Sequence, residues 1–383
     1  MSFRMPLKRI ARFDYGDALA STVRSNGTIP VVGSGGVSGN HDHANSSGPT
    51  IAVGRKGSFG TIHWIDEPCF VIDTAYTVTP ISSLVDKRWL FYVLRGIDLK
   101  KTSQDVGVPG LSREAAYSTA VPTPPPLDEQ RRIADFLDAE TARIDRVRSL
   151  RSAQLDLLTE HTTAALGELF ETSKSGRIVR VKHLLALRPR YGVLVPQFTD
   201  DGVSFIRVND LLDLAGRAET LLKIPHSLSA QYPRTQTRRD DVLLSVVGTM
   251  GRAAIVPEEL VGANIARAVA SLRVLAGVDA RLLIAWIRTT HFGEKASLAT
   301  GTDTAQPTLG MEDLANFAVR WPSNNAEQQE LSKAAQQIDG WASNIRRLLE
   351  AQLALLAERR QALITAAVTG QFDVTTARGA DLT

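Results

Sequence analysis

Two long stretches of the 383-residue chain carry apolar residues at the spacing of an amphipathic helix. In each stretch, apolar residues recur mostly every three, four or seven positions, as expected for one stripe along a helix. The pattern predicts two helices of ~40 residues, each ~60 Å long, with Asp128 and Asn325 as N-caps. The first stripe is Ile133, Leu137, Ile144, Val147, Leu155, Leu158, Ala165 and Leu169, and the second is Leu331, Ala335, Ile345, Leu349, Leu353, Leu356, Leu363 and Ala367.

The two stretches belong to an internal repeat. A shift of 198 residues aligns 109–164 with 307–362 without a gap, and 17 of the 56 pairs are identical. Further upstream the offset shrinks to 174, so the second copy is 24 residues longer in its globular part. The repeat predicts two long helices that pack as an antiparallel coiled coil with a pseudo-twofold axis. The alternative is that each helix lies on its own domain.

The predicted fold class is α+β, with two mixed α/β domains separated by the two long helices. We place the domains at residues 1–126 and 175–320, the central helix at 127–174, and the C-terminal helix and tail at 321–383. Pro49–Ile65 and Asp241–Val256 each read as a strand, a glycine turn and a strand. Glycine is suited to these turns because it adopts a positive φ without strain.

Polar and cationic residues cluster at the two glycine turns, a composition suited to phosphates and base edges. Simple hairpin geometry is the alternative explanation for the glycines themselves. The candidate nucleic-acid contacts are Arg55, Lys56 and Ser58 in the first domain, and Thr249, Arg252 and Arg267 in the second.

The charge balance adds only weak support for nucleic-acid binding. The net charge is +3 overall, and by segment it is +3 for 1–126, −3 for 127–174, +4 for 175–320 and −1 for 321–383. Basic domains therefore alternate with acidic helices, although charges this small are common on ordinary solvated surfaces. The single cysteine, Cys69, allows no internal disulfide. Together with the lack of a signal peptide or membrane span, this predicts a cytoplasmic protein.

Known catalytic motifs are missing from the sequence. It contains neither a G-x-x-x-x-G-K-[ST] phosphate loop nor an N-P-P-[YF] methyltransferase tetrapeptide. The glycines after Val32 are followed by loop-forming residues rather than by the helix that a dinucleotide site requires. His41 and His43 have a metal-ligand spacing, but a flexible polar loop explains them better. We therefore expect no catalytic residue and no metal site.

Several motifs resemble one known family. The first helix is announced by PPPLDEQRRIADFL, the chain ends with RRQALITAAVTGQFDV, and the domains close with GVPGL and AQPTL. In these motifs the chain resembles the specificity (S) subunit of type I restriction-modification systems. The second copy departs from the pattern, because its PSNNAEQQELSKAA lacks the second proline and the Phe-Leu pair.

The resemblance implies a function without catalysis or a cofactor of its own. The two domains would be target recognition domains that read the halves of an asymmetric bipartite site in double-stranded DNA, and the coiled coil would set the spacer. Two methyltransferase (M) subunits, which bind S-adenosylmethionine, would dock on the helices, and restriction (R) motor-endonuclease subunits would join them. The expected docking residues are Glu129, Gln130, Ile133, Phe136, Leu137, Glu327 and Gln328.

Two other interpretations remain open. One is a coiled-coil scaffold or adaptor with no role in DNA binding, which the charge pattern alone does not exclude. The other is a specificity subunit of a related system that methylates DNA without restricting it.

Overall fold

The computed structural model describes residues 4–102, 110–193, 196–248, 250–300 and 307–374. The chain forms two compact units. Unit 1 comprises Met1–Ser152 with Glu350–Thr383, and unit 2 comprises Ala153–Leu349. Both boundaries fall inside the long helices described below, so each unit contains one part of each long helix.

Unit 1 consists of short strands grouped into small sheets. The strands are β1 (Arg4–Pro6), β2 (Ala11–Tyr15), β3 (Ile29–Gly33), β4 (Gly36–His41), β5 (Thr50–Gly54), β6 (Ile62–Ile65), β7 (Phe70–Val71), β8 (Ala75–Pro80) and β9 (Ala120–Pro122). The helices are α1 (Lys87–Gly96), α2 (Arg113–Ser118), the first part of α3 (Leu127–Glu171) and the last part of α8 (Asn325–Val368). The sheets are an antiparallel β1-β9 pair, an antiparallel β2-β8-β5-β6 sheet, and a β4-β3-β7 sheet in which β3 and β7 are parallel.

Unit 2 repeats these sheets strand for strand. Its strands are β10 (Gly176–Arg180), β11 (Arg190–Tyr191), β12 (Val203–Ile206), β13 (Lys223–Ile224), β14 (Val242–Ser245), β15 (Ala253–Ile255), β16 (Asn264–Ile265), β17 (Val269–Leu272) and β18 (Ala318–Pro322). Its helices are the last part of α3, α4 (His226–Gln231), α5 (Ala280–Ile287), α6 (Thr290–Thr300), α7 (Met311–Asn316) and the first part of α8. The sheets are β10-β18, β11-β17-β14-β15 and β13-β12-β16, again with one parallel pair, β12 with β16.

The predicted fold class, internal repeat and hairpins are confirmed. β5 pairs with β6 and β14 with β15, both antiparallel, around the predicted glycine turns. Much of the extra length of the second copy lies next to β13, because residues 207–222 connect β12 to β13 where residues 34–35 connect β3 to β4. This insertion is built around the buried carboxylate of Asp210, which accepts hydrogen bonds from the backbone and guanidinium of Arg207.

Both predicted N-cap residues lie inside the helices, because α3 begins one residue before Asp128 and α8 begins at Asn325. α3 has 45 residues and α8 has 44, slightly more than expected. Asp128 lies inside the first turn of α3, because α3 already begins at Leu127. Asn325 is the first residue of α8, and the capping side chain is that of Asn324, whose Oδ1 accepts the N–H of Ala326 at 2.8 Å. The pattern of apolar residues located the helices but not the cap residue.

The long helices pair in antiparallel fashion within each unit, as predicted. In unit 1, the Arg360 Nε atom donates to both carboxylate oxygens of Asp145, at 3.0 and 3.1 Å. In unit 2, Arg346 donates to the Thr159 hydroxyl at 3.1 Å. The ring of His161, two residues further along α3, lies 5.7 Å from that of Trp341, which comes before Arg346 on α8. Residues of increasing number on α3 therefore contact residues of decreasing number on α8, as expected for antiparallel helices.

The buried face of α3 differs from the predicted stripe at two places. Val147 is 37% exposed, whereas the sequence placed it in the packed seam. Near the end of α3, the buried residues are Leu166 and Phe170 rather than Ala165 and Leu169. Leu166 and Phe170 belong to the core of unit 2 with Trp286 and Phe292. The last turns of α3 thus turn toward the sheets and short helices of unit 2, which a helix-pair stripe alone does not predict.

Each unit builds its core from both long helices. The main core of unit 1 includes Ile133 and Leu137 of α3 as well as Ile364 and Val368 of α8. No helix in the described ranges is long and apolar enough to cross a membrane.

We predict that Leu166→Ala and Ile364→Ala, which truncate fully buried side chains at equivalent positions of the repeat, each destabilise their unit by about 2–5 kcal/mol. Urea unfolding followed by circular dichroism measures the effect. Leu157→Ala and Leu355→Ala truncate exposed leucines on the same helices and should change stability by less than about 0.5 kcal/mol. Equal shifts for buried and exposed positions would contradict this packing.

Candidate nucleic-acid interface

The β5–β6 hairpin of unit 1 ends in a tight tip that carries Arg55, Lys56 and Ser58. The tip is closed by the Gly54 N–H bonded to the Thr61 carbonyl and the Gly60 N–H bonded to the Gly54 carbonyl, both at 2.8 Å. Gly57 and Gly60 both have φ of +71°, which confirms the predicted need for glycine. The side chains of Lys56 and Ser58 are exposed at this tip.

Arg55 is held more firmly than its neighbours. Its Nη1 atom donates to the Asp73 carbonyl at 2.8 Å, and its guanidinium carbon lies 4.9 Å from the centre of the Tyr15 ring. Arg113 approaches the same ring, at 5.3 Å. Tyr15 is 50% exposed, so the surface presents an aromatic ring with two guanidinium groups against it. Such an arrangement reduces the mobility of two cations before any anion is bound.

Tyr15 and Arg113 were missed by the sequence reasoning. Tyr15 lies near the tip because β2 pairs with β8, where Tyr15 stands opposite Tyr76. Arg113 lies at the start of α2. The segment that precedes α2 is attached as well, because the Leu111 N–H donates to the Arg55 carbonyl at 2.9 Å. The Tyr76 hydroxyl donates to the Leu111 carbonyl at 3.0 Å, and burial raises the pKa of Tyr76 to about 12, so the donor keeps its proton.

Unit 2 has the same tip with different chemistry. The Ser245 N–H bonds to the Arg252 carbonyl at 2.8 Å, and Gly248 and Gly251 have φ of +71° and +86°. The Leu309 N–H donates to the Val246 carbonyl, and the Tyr191 hydroxyl donates to the Leu309 carbonyl, as in unit 1. The tyrosine differs in position, because Tyr191 lies on β11, the counterpart of β2, whereas Tyr76 of unit 1 lies on β8. The apolar Val246 and Val247 occupy the places of Arg55 and Lys56.

The second set of candidate DNA contacts is spread out. The guanidinium of Arg252 is half-buried at the hairpin and donates to the Asn209 side chain at 3.5 Å. Arg267 is exposed in the loop between β16 and β17, where its backbone N–H bonds to the Val193 carbonyl. Thr249 lies outside the described residues.

Most of the expected docking residues near the start of α3 are buried inside unit 1. The side chains of Ile133 and Leu137 belong to the core, and Phe136 packs beside Phe372 with ring centres 5.7 Å apart. Gln130 is fully buried, and only Glu129 and Phe136 are partly accessible. Docking of a partner at these positions stays a prediction, but the structure already uses most of these side chains within the chain.

Glu327 joins the first turn of α8 to the segment that follows α3 in unit 2. Its Oε1 accepts hydrogen bonds from the Lys174 N–H at 2.7 Å and the Ser173 hydroxyl at 2.9 Å. Its Oε2 accepts from the Ser175 hydroxyl and from the Ser175 N–H at 3.0 Å. The Ser175 hydroxyl contributes most to holding the pKa of Glu327 below its usual range. The carboxylate of Glu327 is thus occupied by hydrogen bonds to residues 173–175 of the same unit.

Exposed leucines mark a different face of the long helices. Leu150 and Leu355 in unit 1, and Leu157 and Leu348 in unit 2, are each more than half exposed. The two helices are antiparallel, so a step forward on α3 corresponds to a step backward on α8. Counted from the Asp145–Arg360 contact, Leu150 is level with Leu355. Counted from the Thr159–Arg346 contact, Leu157 is level with Leu348. The repeat aligns Leu150 with Leu348 and Leu157 with Leu355. Both units therefore present an equivalent pair of exposed leucines. The leucines shared by the two copies of the repeat are the sequence signal that could have indicated them.

The His41, Asp42 and His43 cluster has ligand atoms within 4.8 Å of one another. The Ser25 N–H donates to Nδ1 of the buried His41 at 3.1 Å, which leaves the proton of the neutral ring on Nε2. That nitrogen faces Asp42 Oδ1 at 3.4 Å and offers no lone pair to a metal ion. A hydrogen bond from His43 lowers the pKa of Asp42. Hydrogen bonds thus engage the Nδ1 atoms of His41 and His43, while the buried Nε2 atom of His41 has no hydrogen-bond partner among the described residues.

The sequence of this chain is similar to known DNA specificity proteins. Residues 5–152 match the family described as the type I restriction modification DNA specificity domain. The chain is 26% identical over 350 residues to the type I restriction enzyme EcoBI specificity subunit of Escherichia coli, covering 84% of this chain and 73% of that protein. The resemblance to type I specificity subunits is confirmed.

Further similarities agree with this family. The type I restriction enzyme MjaVIII specificity subunit of Methanocaldococcus jannaschii is 21% identical over 278 residues, covering 67% of this chain and 64% of that protein. A solved structure concerned with complex assembly and conformational transition of the type I R-M system shares the fold, with a TM-score of 0.67 and 18% identity. That similarity covers 97% of this chain and 98% of the other. The described part of this chain has a mixed helix and sheet fold like that of this solved structure.

We predict that Glu327→Gln lowers the unfolding temperature at pH 7 and that the difference from the wild type disappears in acid. Because the folded pKa lies below the ordinary value of 4.5, the carboxylate stabilises the fold above that value, and this stabilisation is lost as the pH falls through the folded pKa. Thermal unfolding at several pH values between neutral and acid measures the effect. Glu330→Gln, on the exposed side of the same helix, serves as the control. A difference that persists in acid would contradict the role of the carboxylate.

Proposed function

We propose that this type I specificity subunit recognises an asymmetric bipartite site in double-stranded DNA, with one half-site read by each recognition domain. The observation that carries the proposal is the repeated hairpin tip, which has the same hydrogen bonds in both units but basic residues in one and valines in the other. A shared scaffold with different surface chemistry is suited to reading two different half-sites. We retain 1–126 and 175–320 as the recognition domains and 127–174 and 321–383 as the helical segments.

At the unit 1 tip, Arg55, Lys56 and Arg113 would contact DNA with Ser58. Arginine recognises guanine edges and phosphates through paired N–H donors, whereas lysine contacts phosphates as a point charge. Tyr15 would orient the two arginines. In unit 2, Thr249, Arg252 and Arg267 remain the proposed contacts. The small net charge of each domain predicts weak DNA binding by the isolated chain, because few phosphates are neutralised.

The chain would supply recognition without catalysis and without a cofactor of its own. Two methyltransferase subunits carrying S-adenosylmethionine would modify the two half-sites, and restriction subunits would complete the assembly in the cytoplasm. The long helices would set the length of the spacer that separates the half-sites.

We place methyltransferase docking on the exposed leucine pairs rather than on the buried start of α3. Each pair offers apolar side chains on two adjacent helices, a surface that receives the apolar face of a further helix. The occurrence of one equivalent pair in each unit supports two copies of the same partner.

Arg55→Ala combined with Lys56→Ala should relax sequence preference in one half-site only. Each lost base contact is worth about 1–3 kcal/mol of discrimination. The measurement is methylation-sensitive sequencing of cells that express the variant with its methyltransferase subunit. Lys8→Ala with Arg9→Ala removes another exposed basic pair of unit 1 and is the control. Equal loss at both half-sites would reject the assignment of the tip to one half-site, and an unchanged methylation pattern would reject Arg55 and Lys56 as base contacts.

Leu150→Lys with Leu355→Lys should abolish stable co-purification of one methyltransferase copy without lowering the unfolding temperature of the isolated chain. Charged side chains at an apolar contact carry a desolvation cost, whereas at an exposed position they cost little. Leu157→Lys with Leu348→Lys should act in the same way in unit 2. Native mass spectrometry counts the bound copies, and Leu298→Lys, at an exposed position of α6, is the control. Full occupancy in both double variants would rule out this docking surface.

A further inference from the structure

A buried glutamine connects the recognition domain of unit 1 to the first turn of α3. The side chain of Gln130 is inaccessible to solvent. Its Oε1 atom accepts the N–H of Asp86 at 2.8 Å. Its Nε2 atom donates to the Leu84 carbonyl at 2.9 Å and to the Pro125 carbonyl at 2.7 Å. One amide group therefore bonds to both the loop before α1 and the proline segment before α3.

The equivalent glutamine of unit 2 makes the equivalent connection. Gln328 is 6% exposed, and its Oε1 atom accepts the N–H of Asp279 at 3.2 Å. Its Nε2 atom donates to the Pro322 carbonyl at 3.2 Å and approaches the Asn325 side chain at 3.5 Å. The contact reaches across 49 positions of the chain, as the Gln130 contact reaches across 44.

The residues that these amides hold are themselves helix caps. The Asp86 side chain accepts the Trp89 N–H at the start of α1, and the Asp279 side chain accepts the N–H groups of Arg281 and Leu282 at the start of α5. In both units the glutamine thus fixes the N-cap residue of a domain helix to the first turn of a long helix.

Only a side chain with both donors and an acceptor satisfies this site. Methionine has a similar shape but would leave the Asp86 N–H and two carbonyls without their partner, and each unsatisfied buried group costs free energy. Glutamate would place a second acceptor against carbonyl oxygens in unit 1. The requirement explains a glutamine at this position in both copies, although most of the aligned pairs around it differ.

We infer that Gln130 and Gln328 are positioning residues that set the orientation of each recognition domain on its long helix, and through it the accuracy of half-site and spacer selection. The inference rests on the proposed function. In this role, neither amide contacts DNA or a partner subunit, which differs from the docking role that the sequence motif first indicated.

The test compares Gln328→Met with Gln329→Met, because Gln329 is the exposed neighbour on the same helix turn. Hydrogen-deuterium exchange of the full chain should show about five- to tenfold faster exchange around Asp279 in Gln328→Met and no change in the control. Methylation sequencing with the methyltransferase subunit should then show methylation of sites with altered spacer or with mismatches in one half-site. Gln130→Met should produce the same changes around Asp86 and in the other half-site.

The two readouts separate the inference from the proposed function. Unchanged exchange around Asp279 would overturn the connection made by the glutamine, whatever the methylation pattern. Faster exchange with a wild-type methylation pattern would overturn the positioning role and leave a purely structural one. If the wild-type complex methylates no bipartite site, the proposed function fails, and with it the positioning role in recognition. If Gln328→Met does not fold, Gln328→Glu, which keeps the acceptor and loses the donors, replaces it with the same expected outcomes.

Discussion

The structure depends on one constraint. The C-terminal part of each long helix packs into the core of the unit that contains the other copy of the repeat. The core of unit 1 contains Ile364 and Val368, which come from the C-terminal helix, and the core of unit 2 contains Leu166 and Phe170, which come from the central helix. Burial of large apolar side chains is the main favourable contribution to folding. Neither unit therefore completes its core with residues of one copy of the repeat alone, and each core includes residues of both long helices.

This dependence also limits which side chains remain for partners. The start of each long helix is occupied by contacts inside its unit, through the glutamine at the first turn and, in unit 2, through Glu327 bonded to residues 173–175. The middle of each helix retains exposed leucines at equivalent positions. Each long helix is therefore divided into a part that packs inside its unit and a part whose leucines stay exposed, and this division follows from the burial pattern and not from the sequence motif.

The sequence was sufficient to predict the repeat, the two long helices and the two glycine hairpins, because each has a local signal. Helix periodicity extends over many turns, and glycine marks positions of positive φ within a few residues. The exact caps, the burial of Leu166 in place of Ala165, and the approach of Tyr15 and Arg113 to Arg55 depend on which strands and helices become neighbours. Such pairings join residues up to about a hundred positions apart, as between Tyr15 and Arg113, and no local pattern encodes them. The repeat alignment showed that Gln130 and Gln328 are identical, but only their hydrogen-bond partners show that each joins a domain helix to a long helix.

The open space around the hairpin tips has a consequence for how new specificities arise. The side chains of Lys56 and Ser58 are exposed at the unit 1 tip. Side chains at these two positions can change without a cost in packing, whereas Gly57, Gly60, Gly248 and Gly251 have positive φ and favour glycine. The hydrogen bonds that close the tip involve the backbone, so any sequence with these glycines keeps them. Single substitutions can thus change the chemistry of the proposed recognition surface while the folded domain persists, because the scaffold of the tip does not depend on the exposed side chains.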